Sequence, residues 1–107
     1  MDYKLIFDEV MLKQLKKVDK NKQIKDIISK MFDKIEEKGS DAGQLIDSRL
    51  RIYEMKSKHP PIRLYYKLAQ NEEIYVFEYE MKTSEKKQRT TIEKIKDKIS
   101  KILYLFL

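Results

Sequence analysis

The sequence contains no cysteine and only one histidine, two glycines and two prolines among its 107 residues. Without cysteine the chain can form neither a disulfide framework nor a thiolate zinc site, and a single histidine cannot complete a metal site built from nitrogen and sulfur ligands. We therefore expect no bound metal and no cofactor. So few glycines and prolines disfavour a sandwich of many short strands and favour a few long elements.

Long hydrophobic runs are also absent. No stretch approaches the roughly 20 apolar residues that span a bilayer, and no apolar run of a signal peptide follows a charged N-terminal segment. We therefore expect a cytoplasmic protein that has no membrane partner and folds as one domain over residues 1–107. The apolar residues 102–107 are too short for an anchor. We expect them to pack on this domain or on a partner, including a second copy of the chain.

Basic residues exceed acidic ones by 24 to 18, which gives a formal charge of +6. Such a charge attracts polyanions, but a generally lysine-rich composition explains it equally well. The excess is uneven, because residues 82–101 contain eight Lys or Arg against three Asp or Glu. Most of the net charge is therefore expected at one edge of the protein.

Alternating and helical patterns of apolar residues predict the element order β-α-α-β-β-β-α. The predicted strands are residues 3–7, 45–56, 62–68 and 73–81, and the helices are residues 9–18, a segment from 24 that stops at Gly39, and a segment from about 90. Three successive strands with short connections favour a mainly antiparallel, twisted sheet. We expect an α+β fold whose helices cover one face of this sheet and leave the other face open.

The central strands carry a basic and aromatic face. On one predicted strand, alternation groups Arg63, Tyr65 and Lys67 on the side opposite the apolar residues. On the preceding strand, Glu54 and Lys56 are expected to stand beside Arg63 and Tyr65 across a hairpin. This face is the candidate site. The only histidine, His59, precedes two prolines in the predicted turn, and we interpret it as a turn residue.

Three short motifs occur in a fixed order: YEMK at residues 53–56, IRLYY at residues 62–66 and YEMKT at residues 79–83. Together with the element order, they resemble the RelE/ParE toxin superfamily, and in particular its HigB/RelE-like branch. The resemblance covers nearly the whole chain and implies the RelE fold. The third motif departs from it at one position, because Met81 stands where the HigB-like turn has the first of two lysines, and no position matches the terminal tyrosine or the histidine that the family often uses in catalysis.

The resemblance also implies roles for individual residues. Arg63 is expected to hold a phosphate, Lys82 or Lys56 to transfer a proton, and Glu54 to act either as a base or as a structural ion-pair partner. The remaining predicted contacts with RNA are Tyr65, Lys67, Tyr79, Lys86, Lys87 and Arg89. Lys86 or Lys87 would have to supply the charge that is missing at Met81.

By this resemblance, the chain is the toxin of a type II toxin-antitoxin system, an endoribonuclease that cleaves messenger RNA on the ribosome and inhibits translation. The implied partners are a cognate antitoxin protein, messenger RNA and the ribosome, and the implied nucleophile is the 2′-hydroxyl of the RNA. Two alternatives stay open. One is a ParE-like or catalytically inactive protein-binding module, which Met81 and the acidic residues Glu54, Glu78 and Glu80 favour. The other is a nucleic-acid-binding domain without catalysis.

Overall fold

The computed structural model describes residues 2–82 and 84–101. Predictions about the apolar residues 102–107, and about the threonine of the motif at residues 79–83, lie outside the described residues. The elements follow one another as β1 (Lys4–Phe7), α1 (Glu9–Val18), α2 (Lys22–Lys38), a short 3-10 helix (Gly39–Ala42), β2 (Gln44–Asp47), β3 (Ile52–Lys58), β4 (Pro61–Leu68), β5 (Glu73–Met81) and α3 (Glu85–Lys101).

Residues at the helix ends explain where the first two helices begin and where α2 stops. The Asp8 carboxylate accepts a hydrogen bond from the backbone N–H of Val10 at 2.9 Å, and Asn21 accepts one from Ile24 at 3.2 Å. Both are N-cap interactions that satisfy otherwise unpaired donors. At the end of α2, Gly39 adopts a φ of 56°. A side chain there would also collide with the Tyr3 ring, whose carbons would lie 2.5 Å from the added Cβ.

The five strands form one sheet in the order β1-β5-β4-β3-β2. Three neighbouring pairs are antiparallel, and β1 runs parallel to β5. The predicted α+β class and the mainly antiparallel sheet are thus confirmed. The predicted strand 45–56 is two strands instead of one, because a turn at residues 48–51 interrupts it. In this turn the Asp47 carboxylate accepts a hydrogen bond from the Leu50 N–H at 2.8 Å, and Arg51 takes a φ of 57°.

Helices cover both faces of the sheet, so the prediction of one covered face is wrong. Helices α1 and α2 enclose the first core, which contains Met11, Ile35 and Leu64. On the opposite face, Ile95 and Ile99 of α3 contact an apolar patch of the sheet, formed by Ile52, Tyr65 and Phe77. The apolar patch on this second face is what binds α3, because burying it removes apolar surface from water.

A β-bulge in β5 interrupts the ladder with β4 beneath α3. Tyr65 pairs with Glu78 and Tyr66 with Val76, so Phe77 is the extra residue in the ladder. Such a bulge lets two successive residues oppose a single residue of the neighbouring strand. Phe77 and Glu78 therefore both lie opposite Tyr65, on the face that α3 covers.

Within residues 2–82 and 84–101, none of the helices combines the length and the apolar character needed to cross a bilayer.

Candidate active site

The predicted basic connection between β5 and α3 is mostly helical. Helix α3 begins at Glu85, five residues before the predicted start near residue 90, so Lys86, Lys87 and Arg89 occupy its first turns. The Ser84 hydroxyl accepts a hydrogen bond from the Lys87 N–H at 3.1 Å, which is an N-cap interaction. The start of α3 is thereby fixed beside the end of β5.

A cleft of about 410 Å³ opens where β4, the end of β5 and the start of α3 meet, and it is lined by Arg63, Lys82, Ser84 and Glu85. The backbone N–H of Lys82 donates a hydrogen bond to the carbonyl of Pro61 at 2.8 Å, which holds this residue next to the first residue of β4. The structure thus brings together two of the residues predicted to act in catalysis. Arg63 contributes from the sheet, and Lys82 contributes from the connection.

The guanidinium of Arg63 is nearly buried, since its side chain is 10% exposed. Its Nε and Nη1 atoms have no hydrogen-bond partner among the described residues. Nη1 lies 3.7 Å from Glu54 Oε2, which is an ion-pair distance and too long for a hydrogen bond. Buried donors without acceptors cost on the order of 1 to 3 kcal/mol each, so native proteins keep few of them. Arg63 therefore lines the cleft with a guanidinium whose Nε and Nη1 are shielded from solvent and have no hydrogen-bond acceptor among the described residues.

Glu54 is the buried anion of the site, with a side chain that is 3% exposed. Its Oε1 lies 3.7 Å from Lys56 Nζ, and its Oε2 accepts a hydrogen bond from Gln88 Nε2 at 2.6 Å. The predicted hairpin register is confirmed, because Glu54 pairs with Tyr65 and Lys56 with Arg63. Glu54 is thus enclosed by two cations and by α3, and it does not line the cleft.

Tyr65 cannot stack on an RNA base in this structure, because it is completely buried beneath α3. Its hydroxyl donates a hydrogen bond to Glu80 Oε2 at 2.7 Å, and the Thr91 hydroxyl donates one to Glu80 Oε1 at 2.6 Å. Burial, together with the hydrogen bond to Glu80, raises the pKa of Tyr65 far above its ordinary value. The tyrosine therefore connects the sheet to α3.

Lys67 is likewise buried and does not face the cleft. Its ammonium group donates a hydrogen bond to the carbonyl of Leu50 at 2.5 Å, in the turn between β2 and β3. Burial and the neighbouring charge of Arg51 lower its pKa. It lies four positions from Arg63 along the strand, a distance of roughly 13 Å. The predicted RNA contact is therefore corrected to a structural role at the other end of the sheet.

Tyr79 lies on the face that α1 covers, so it is not grouped with Arg63. Its backbone N–H donates to Gln14 Oε1 at 3.0 Å, and its carbonyl accepts from Gln14 Nε2 at 2.8 Å. Partial burial raises the pKa of its hydroxyl. Met81 packs against the same core, on the side away from the cleft. Both side chains thus lie on the face of β5 that α1 and α2 cover.

The other cations of the predicted site lie at the surface. Lys56, Lys82, Lys86, Lys87 and Arg89 are all exposed, as is His59 in the β3–β4 turn. Lys87 borders a second cavity, of about 400 Å³, together with Glu78, Glu80 and Lys94. Glu78 and Glu80 are both nearly buried, and Glu78 pairs with Lys94 Nζ at 3.0 Å.

The sequence analysis did not predict three residues of the site. Ser84 and Glu85 line the cleft, and Gln88 of α3 donates a hydrogen bond to Glu54. A serine followed by an acidic residue is a typical helix start, and this signal could have moved the predicted start of α3 to residue 85. The contact of Gln88 with Glu54 had no such signal, because it depends on α3 crossing the face that was predicted to be open.

Comparison with known proteins shows the fold. No protein-family model matches the chain, and no curated protein is detectably similar to it in sequence. Among solved structures, the isolated E. coli RelE toxin is similar with a TM-score of 0.65 and 20% identity, over 87% of this chain and 98% of RelE. A free E. coli RelE variant with two arginines replaced by alanine gives a TM-score of 0.68 at 20% identity, over 89% and 99% of the two chains. The intact E. coli RelBE toxin-antitoxin complex gives 0.63 at 20% identity, over 77% and 99%. The chain therefore has the RelE fold.

Proposed function

We propose that this protein is the toxin of a type II toxin-antitoxin system, an endoribonuclease that cleaves messenger RNA on the ribosome and so inhibits translation in the cytoplasm. The single observation that carries the proposal is the state of Arg63 in a protein of RelE fold. Its buried guanidinium has two nitrogens without acceptors and borders a cleft that also contains Lys82. A phosphodiester in the cleft would supply the missing acceptors once the guanidinium turns towards it, because a guanidinium binds phosphate oxygens in a planar, forked geometry.

The reaction that fits this cleft is attack of an RNA 2′-hydroxyl on the adjacent phosphorus. The 2′-oxygen loses its proton to a base, bonds to phosphorus, and the bond from phosphorus to the 5′-oxygen breaks as that oxygen takes up a proton. Arg63 and Lys82 stabilise the negative charge that accumulates on the phosphoryl oxygens. The RNA provides its own nucleophile, so the protein supplies positioning, charge and proton transfer.

Two carboxylates compete for the role of base. Glu54 is buried and already accepts a hydrogen bond from Gln88, whereas Glu85 is exposed and lines the cleft. A base must come within hydrogen-bond reach of the proton that it removes. We therefore assign the base to Glu85 and the acid to Lys82, with Glu54 holding Arg63 and Lys56 in place.

The proposed partners are messenger RNA, the ribosome and a cognate antitoxin protein. The RelE of E. coli forms a toxin-antitoxin complex, RelBE, which supports an antitoxin for this chain as well. Exposed Lys86 and Arg89 in the first turns of α3 extend the positive charge beyond the cleft and would contact phosphates that flank the cleaved bond.

One observation favours a second candidate, a protein that binds a protein partner without catalysis. Tyr65 and Lys67 are buried, and this removes two predicted RNA contacts from the face of the sheet. Against this candidate, the acidic residues Glu78 and Glu80 are buried as well, so they do not form an acidic docking surface.

Expression in bacterial cells tests the proposal. We expect growth arrest with fragmented messenger RNA, and we expect Arg63→Ala to restore both growth and intact RNA at the same protein level. Arg49→Ala is the matched control, because it removes an exposed arginine in the turn between β2 and β3, outside the cleft and the proposed RNA contacts, and it should leave the arrest in place. Unimpaired growth, or arrest with intact messenger RNA, would contradict the proposal and favour the binding protein.

A further inference from the structure

Gln88 differs from its neighbours at the start of α3. Among the described residues from 84 to 90 it alone is half-buried, whereas the others are exposed. Its backbone N–H donates a hydrogen bond to the Ser84 carbonyl at 3.2 Å. One turn further on, the Thr91 hydroxyl donates to the buried Glu80 at 2.6 Å. The face of α3 that carries Gln88 is therefore fixed against the sheet.

Gln88 and Arg63 approach the same oxygen of a buried carboxylate. Gln88 Nε2 donates to Glu54 Oε2 at 2.6 Å, whereas Arg63 Nη1 lies 3.7 Å from that oxygen. A shift of about 0.8 Å would bring Nη1 to a usual hydrogen-bond distance of about 2.9 Å. A buried guanidinium beside a carboxylate normally closes such a gap, because charge-assisted hydrogen bonds are stronger than neutral ones. The hydrogen bond from Gln88 accounts for the gap.

The donor at this position is neutral, although its neighbours in the sequence are a lysine and an arginine. A cation at position 88 would neutralise the carboxylate of Glu54. An amide binds the carboxylate oxygen and leaves its charge in place. Glu54 therefore still attracts Arg63 and Lys56, each of which lies 3.7 Å from one of its oxygens. The amide thus separates two effects of Glu54, its charge and its capacity to accept a hydrogen bond.

We propose that Gln88 is a positioning residue for the cleft, which holds Glu54 back from Arg63 and so leaves the guanidinium free to turn towards a phosphate. The inference rests on the proposed function, since it takes the ligand of Arg63 to be an RNA phosphate. Without the amide, Glu54 Oε2 accepts a hydrogen bond from Arg63 Nη1, and RNA has to displace that carboxylate before it binds. Gln88 thereby controls the affinity of the cleft for RNA through Glu54, without contacting the RNA itself.

Nuclear magnetic resonance of the RNA-free protein tests the positioning role separately from the reaction. Gln88→Met removes the amide donor and keeps a side chain of similar length, so Glu54 should move onto Arg63 and shift its Nη1–H resonance downfield. Gln88→Lys restores a donor to Glu54 and should return the resonance towards its wild-type position. Gln14→Met is the matched control, because Gln14 hydrogen-bonds to the backbone of Tyr79 on the other face of the sheet. It should leave the Arg63 resonance unchanged.

RNA binding tests the consequence for the cleft. The probe is a short RNA with a 2′-O-methyl group on every ribose, which the proposed reaction cannot cleave. Its Kd is measured from the change that it causes in the Arg63 resonance. We expect Gln88→Met to raise the Kd by about tenfold or more, because Glu54 then competes with phosphate for the guanidinium. Gln14→Met should leave the Kd unchanged.

The inference would be overturned if Gln88→Met left the Arg63 resonance or the Kd unchanged, or if Gln14→Met had the same effects. It would also be overturned if the RNA did not move the Arg63 resonance of the wild-type protein. A failure of the proposed function alone gives a different result. The methylated RNA would then bind at Arg63 and respond to Gln88→Met, while the unmodified RNA stayed intact in the presence of ribosomes.

Discussion

Arg63 Nη1 lies 3.7 Å from Glu54 Oε2, so the two buried groups are close enough to attract one another and too far apart to share a hydrogen bond. Gln88 Nε2 of α3 donates a hydrogen bond to the same carboxylate oxygen, at 2.6 Å. Glu54 is therefore held by a hydrogen bond from α3, and Arg63 Nε and Nη1 have no hydrogen-bond acceptor among the described residues. This arrangement separates a carboxylate that supports the site from the exposed Glu85 that lines the cleft.

Replacing each of these two carboxylates should have a different effect. Glu85→Gln should lower the rate of RNA cleavage by about 100-fold or more, with the free energy of unfolding changed by less than about 0.5 kcal/mol, because the residue is exposed and acts only on substrate. Glu54→Gln should destabilise the fold by roughly 3 kcal/mol, since it leaves Arg63 without a nearby anion. Single-turnover cleavage and urea denaturation measure the two effects. Full activity of Glu85→Gln would refute the assignment of the base.

The Tyr65 hydroxyl should matter for stability and not for RNA binding. Tyr65→Phe removes one of the two hydroxyl donors to the buried Glu80, so we expect a loss of about 1 to 3 kcal/mol in the free energy of unfolding. Tyr53→Phe is the control, because the Tyr53 ring stacks on Tyr66 at 5.4 Å and its hydroxyl has no hydrogen-bond partner among the described residues. Thermal denaturation measures the difference. Equal melting temperatures for the two variants would contradict this account of Tyr65.

Acid should weaken the protein through Asp8. Burial alone would raise the pKa of this carboxyl, but hydrogen bonds from Lys98, Tyr75 and Val10 outweigh burial and lower the pKa below its ordinary value of 3.8. Such a group stabilises the folded state above its ordinary pKa, and the contribution is lost as the pH falls through the folded-state value. Between about pH 4 and pH 2, the free energy of unfolding should therefore fall more steeply for the wild-type protein than for Asp8→Asn. Urea denaturation over this range tests it, and parallel curves would argue against the role of Asp8.

The hairpin of β3 and β4 could be predicted from the sequence because alternation alone fixes which residues share a face. Glu54 and Lys56 indeed stand beside Tyr65 and Arg63. What alternation cannot show is what covers a face. Glu54 has a buried environment only because Gln88 comes from a helix that lies 34 residues further along the chain.

The bulge in β5 is a second feature that the sequence did not predict. A strict alternation through β5 would put Glu78 on the face opposite Phe77, yet the extra residue places both of them opposite Tyr65. Phe77 itself lies on the second face because it alternates with Val76 of the first core, and it packs there with Ile95 and Ile99 of α3. The predicted open face therefore became a second core, and the predicted contacts of Tyr65 and Lys67 with RNA were lost with it.

The most direct test of the central claim is the cleavage of a short RNA that contains one cleavable position, compared with the same RNA carrying a 2′-deoxyribose there. With purified protein and ribosomes, we expect cleavage of the first RNA to leave a 2′,3′-cyclic phosphate. We expect no cleavage of the second, because it lacks the nucleophile. Arg63→Ala should lower the rate by about 100-fold or more, while Arg49→Ala, which removes an exposed arginine in the turn between β2 and β3, should not. Cleavage of both RNAs, or a rate that does not depend on Arg63, would contradict the account.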